Sequence, residues 1–155
     1  QDVAVMNEGK IIQQGVTAQI FDQPINEYVA NFVGTETILE GQVISCAAGN
    51  MVIGINGRKI EAVGDCSIGQ QVFCCLRPEI VTVSKYAQQK ISARNIFEAK
   101  VSKITRQGLL YKLSLECGFP LVAYITIPSY EELEITQGAI VYASFKSTAV
   151  HVIKQ

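Results

Sequence analysis

The chain has 155 residues, 48% hydrophobic and 17% charged, with a net charge of −1. This composition suits a packed core and excludes global disorder, while a pI near 5.9 excludes the basic field of a general nucleic-acid binder. No apolar run approaches the ~20 residues that span a bilayer, and the opening QDVAVMNEGK lacks the basic start and apolar stretch of a signal peptide.

In chain order, VAVMN (3–7) reads as a strand, Glu8-Gly9 as a turn and KIIQQG as the returning strand of a hairpin. Thr17 is placed as the N-cap of a helix, TAQIFDQ, that Pro24 breaks. Asn26 caps a second helix, NEYVANFV, ending near Gly34. The helical spacing of Tyr28, Val29, Phe32 and Val33 predicts that these four form its buried face. Beyond Gly34 the chain becomes short apolar and β-branched runs cut by Gly and Asn: ILEGQVISC, MVIGI, RKIEAV, QQVFCCL, EAKVSKIT, LYKLSLEC, LVAYITI and AIVYASF. Such a pattern predicts small curled sheets or barrels. PSYEEL is the one helical insert in this half, with Pro128 and Ser129 at its start.

The five cysteines fit no CxxC metal pattern and read as reduced, buried small hydrophobes. Cys74 and Cys75 are adjacent on a strand and must face opposite ways. His151 is the single histidine, and no pair of carboxylates is placed together by the pattern, so neither a triad, a zinc site nor acid/base catalysis is indicated. No G-x-x-x-x-G-K-[ST] loop is present, which predicts a chain that is not itself an ATPase. The start at Gln1 rather than Met suggests a piece of a longer protein.

From Gly34 onward the chain contains an internal repeat. GTETILEGQV (34–43) aligns with SARNIFEAKV (92–101) at an offset of 58 residues, and GQQVFCCLRPEIVTV (69–83) with GAIVYASFKSTAVHV (138–152) at an offset of 69. Part of the surplus in the second copy is IPSYEEL. Each copy opens on a polar tetrad before a strand and closes on a strand bearing one cation, Arg77 or Lys146. Two five-stranded units of Greek-key barrel type follow from this.

The tetrad Ser92-Ala93-Arg94-Asn95 and the run Lys146-Ser147-Thr148 concentrate hydrogen-bond donors and two cations. If the barrel brings its first and last strands together, these groups describe a site for a small divalent oxyanion, which accepts many short hydrogen bonds. The plainer alternative is a solvated loop and a lysine snorkelling from a strand end.

SARNIFEAKV with VYASFKSTAVHV resembles the molbindin, or Mop, domain, an OB-type module that binds molybdate or tungstate; the resemblance covers about residues 91–155. The first copy, with LRPEIVTV, resembles the transport-associated OB (TOBE) domain found behind ABC transporter ATPases. Residues 1–34, with VAVMNEGKIIQQG and IFDQPINEYVANFVG, resemble the last strands and helices of such an ATPase. The resemblance implies a mainly β chain: an ATPase remnant at 1–34, a first OB-like unit at 35–86 and a second, Mop-like unit at 91–155.

It also implies roles. Ser92, Arg94 and Asn95 match the tetrad that touches the oxyanion, Lys146 and Ser147 its lysine–hydroxyl pair, and Thr126 and Ser129 a threonine and a serine that contact the anion in related regulators. Thr126-Ile127-Pro128-Ser129 departs from the usual T-K-E-S, and Pro128 removes one N–H donor. In the first copy Glu36 stands where Arg94 does, so the second copy is expected to hold the site. The implied protein is the regulatory part of an ATP-binding subunit of a cytoplasmic importer complex at the inner membrane. Its ligand would be molybdate or tungstate, with no metal or cofactor in this chain, ATP and Mg belonging to the ATPase domain. Its expected partners are a second copy and the transporter's membrane subunits, not nucleic acid. The competing reading is a ligand-free docking module that braces an ATPase dimer.

Overall fold

The computed structural model describes residues 1–155 and is mainly β. It opens with the hairpin read from the sequence, β1 (Asp2–Asn7) paired with β2 (Lys10–Val16). Two short helices follow, α1 (Thr17–Asp22) and α2 (Glu27–Phe32). Thr17 is the first helical residue and not the cap: its hydroxyl and amide donate to Gln1 O at 3.1 and 3.2 Å, which ties the helix start to the head of the hairpin. Asn26 does cap α2, its Oδ1 accepting from Val29 N at 2.9 Å. The inward face of α2 is Val29 and Ala30, both fully buried, while Tyr28 and Phe32 are exposed. Tyr28 and Phe32, one turn apart, stack on each other at 6.4 Å. The smaller pair lets the helix approach, Val29 packing with Val5 and Ile20, Ala30 with Cys75 and Ile153.

The rest of the chain is strand after strand: β3 (Thr37–Ala47), β4 (Asn50–Ile55), β5 (Arg58–Val63), β6 (Gln71–Leu76), β7 (Thr82–Ser84), β8 (Asn95–Gln107), β9 (Leu110–Glu116), β10 (Pro120–Thr126), β11 (Ile140–Phe145) and β12 (His151–Lys154). One helix, α3 (Ile127–Leu133), interrupts the second copy. The repeat extends to single hydrogen bonds. β3 slips register between Val43 and Ser45, and β8 between Val101 and Lys103. Beside each bulge a glycine amide donates to the repeat valine, Gly69 to Val43 O at 2.8 Å and Gly138 to Val101 O at 2.7 Å. Both glycines have φ near +90 (88° and 86°), a conformation that a Cβ would penalise.

The sheets cut across the two copies. One sheet runs β12-β6-β3-β4-β5 and the other β10-β9-β8-β11-β7. The last strand of each copy therefore completes the sheet of the other: β7 pairs with β11 (Thr82 opposite Ser144) and β12 with β6 (His151 opposite Cys75). Inner faces of both sheets feed one core of 26 buried residues, including Ile53 and Leu76 from the first and Leu113 and Phe145 from the second. Cys74 enters that core, and Cys75, on the opposite face, packs against α2.

Candidate functional site

Asn95, the last residue of the second tetrad, is 2% exposed. Its Oδ1 accepts from Glu61 N at 2.8 Å and its Nδ2 donates to Glu61 O at 2.9 Å. The amide thus copies a strand partner along the edge strand β5 and closes the second copy onto the first. The adjacent Arg94 guanidinium donates to Glu61 Oε2 at 3.1 Å from a largely exposed position. In the first copy the same device runs the other way. Thr37 Oγ1 accepts from Val122 N at 3.1 Å on the edge strand β10. Glu36 accepts from Lys112 Nζ and, at 2.5 Å, from Tyr124 Oη. Burial pushes the Glu36 carboxyl up, but the hydrogen bonds from Lys112 and Tyr124 and the Lys112 charge outweigh it and hold it below the usual range. The hydrogen bond to Glu36, with burial, pushes the Tyr124 phenol up to about 12.

The two strand-end cations differ more sharply. Arg77 pairs with Asp22 at 3.2 Å and Glu79 at 2.5 Å and lies over the Phe21 ring. Residues 21–24 cover the outer face of the first sheet there, and His151 Nε2 donates to Pro24 O at 2.8 Å. Lys146, the matching residue, forms no ion pair. It lines a cavity of about 680 Å³ with Ser92, on the outer face of the second sheet, under the linker that joins β7 to β8.

The candidate oxyanion residues accordingly divide. Ser92 and Lys146 share that cavity. Arg94 and Asn95 line another, of about 560 Å³, beside Glu61. Arg94 and Lys146 lie just past the paired residues Asn95 and Phe145 at the end of the β8–β11 ladder, yet they line different cavities. Thr126 and Ser129 line a third, next to β7. They serve each other: Thr126 Oγ1 donates to Ser129 Oγ at 3.0 Å and accepts from Ser129 N at 3.3 Å, which makes Thr126 the N-cap of α3. Pro128 falls in the first turn of that helix, where a missing N–H costs little. Ser147 opens the short 3₁₀ turn after Lys146 and is half-buried. Glu61, which holds both Arg94 and Asn95, carried no sequence signal, because its backbone does half of the work.

The remaining reactive groups are quiet. Burial pushes the Cys74 and Cys75 thiols up to about 12, so they stay protonated and poorly nucleophilic. No three His, Cys, Asp or Glu side chains come together as a metal site. No helix is long and apolar enough to cross a membrane.

Residues 91–152 match the TOBE domain model. Over 151 residues, 97% of the chain, it is 38% identical to the molybdate/tungstate import ATP-binding protein WtpC of Pyrococcus horikoshii and 39% identical to that of Pyrococcus abyssi. The chain spans only 41% and 42% of those two relatives. Among solved structures, the cytoplasmic molybdate-binding protein ModG, crystallised with molybdate bound, superposes with a TM-score of 0.66 over 76% of this chain and 95% of its own, at 22% identity. That likeness is one of fold, and it fits the two five-stranded sheets described above. The chain therefore carries a TOBE domain and is homologous to the C-terminal part of the molybdate/tungstate import ATP-binding proteins.

Proposed function

We propose that the chain is the regulatory oxyanion-binding part of an importer's ATP-binding subunit, and that it takes molybdate or tungstate. The observation that carries this reading is Lys146, a cation without a carboxylate partner, in a cavity shared with Ser92, while its repeat mate Arg77 is neutralised by Asp22 and Glu79. Lys146 is exposed and lines this cavity beside Ile80, Ile91 and Phe145, so a dissolved anion can reach its charge. Asn95 acts in this reading by fixing the tetrad rather than by touching the ligand. Arg94 joins only by leaving Glu61, an exposed pair of small net worth. Thr126, Ser129 and Ser147 support the frame around the site.

In the parent protein, bound oxyanion would favour one arrangement of paired subunits and so feed back on transport in the cytoplasm. The shift is limited to the difference in affinity between the two arrangements. ATP and Mg would act in the ATPase domain, the membrane subunits would be its partners, and the domain boundaries would be 1–34, 35–86 and 91–155. Calorimetry with molybdate, tungstate and sulfate tests the reading. Submillimolar binding of the first two that disappears in Arg94→Ala, Lys146→Ala is expected; no heat with any ion would remove it. A second reading, a ligand-free docking module, draws support from the Arg94–Glu61 pair and from the exposed Ile25, Tyr28 and Phe32 around α2.

A further inference from the structure

We infer that Thr82 and Ser144 complete the oxyanion site, so that a bound ion is held by both repeats at once; the inference rests on the oxyanion reading above. Ser144 and Thr82 stand opposite each other in the β11–β7 ladder, so their side chains share a face, and both line the cavity of Lys146 and Ser92. Lys146 follows Ser144 by two positions, which returns it to that face. Thr82 comes from the first copy through strand exchange, Ser92, Ser144 and Lys146 from the second.

Ser144 is 3% exposed, its hydroxyl makes no hydrogen bond within the chain, and the residue lines the cavity. That hydroxyl is therefore free to donate to an acceptor bound in the cavity. Ser84 has a different task. Its hydroxyl donates to Tyr86 O at 2.9 Å and orders the linker above the cavity.

The first copy supplies an internal control. The residues that match Ser144, Thr82 and Lys146 are Cys75, His151 and Arg77. Cys75 is packed under Ala30, His151 is spent on Pro24 O, and Arg77 on two carboxylates. The polar groups of one outer face are thus spent on the chain itself, which covers that face. The other presents three hydroxyls and a lysine. A tetrahedral dianion carries acceptors only, and its four oxygens point in different directions, so it can take the lysine and all three hydroxyl protons from separate sides with twice the charge of a carboxylate.

The test is calorimetric titration of the whole chain with sodium molybdate, comparing wild type, Lys146→Ala, Thr82→Val and Ser144→Ala. Both hydroxyl deletions preserve shape, and thermal midpoints report whether each variant is folded. Each is expected to weaken binding about ten-fold, the loss of one hydrogen bond to a charged ligand, with an unchanged midpoint. If wild type binds and Lys146→Ala abolishes binding while Thr82→Val and Ser144→Ala bind normally, the inference falls and the oxyanion reading stands. If wild type takes no molybdate, both fall. Should Thr82→Val not fold, Ser144→Ala alone decides, since it lies inside one repeat and only removes an oxygen.

Discussion

At the scale of single residues, the tetrads join two repeats before they do anything else. Glu36 shows it most directly, since a carboxylate placed where the other copy has arginine finds Lys112 and Tyr124 across the junction. Its depressed pKa gives a pH signature. The stabilisation is present above about 4.5, the ordinary carboxyl value, and is lost as pH falls through the lower folded value. Thermal midpoints of wild type and Glu36→Gln should therefore differ by a few degrees at neutral pH and converge in acid; a gap that stays constant down to about pH 3 would refute the assignment. The position of Asn95 was legible in the sequence, but its task was not. The partner is the backbone of Glu61, 34 residues earlier, and backbone groups leave no trace in composition.

At the scale of elements, strands and hairpins could be read because alternation and turn residues are local. The roles of Thr17, first residue of its helix, and Thr126, the cap of its own, were harder, since hydroxyls near a helix start can serve several positions. A glycine in a strand marks a close approach. Gly41 in β3 is one: a Cβ there would lie 2.7 Å from Ile53 and Ile55 side-chain carbons and 2.9 Å from Gly54 O. The second copy has Ala99 at the matching position, buried without difficulty. Gly41→Ala should cost about 1–3 kcal/mol by overpacking, and Ala99→Gly about 0.5–1 kcal/mol through backbone freedom. Urea denaturation of both variants measures this, and equal costs would mean that the two strands are not differently crowded.

At the scale of the whole molecule, the exchange of β7 and β12 is the feature that no local pattern could reveal. VTVS and VHVI offer nearly the same alternation, so either run could complete either sheet, and only the tertiary arrangement decides. Residues 91–155 alone would have a β12 without β6 and a β11 without β7. Expressed alone, this segment is expected to dimerise by trading β12 between copies; a folded monomer in the ultracentrifuge would show that exchange is dispensable. The exchange also bears on synthesis. β6 emerges from the ribosome long before β12, so the first sheet keeps an unpaired edge until every strand of the second has been translated. Completion of the first sheet is thereby deferred to the last strand of the chain, and a chaperone that shields the waiting edge of β6 would raise the yield of folded protein.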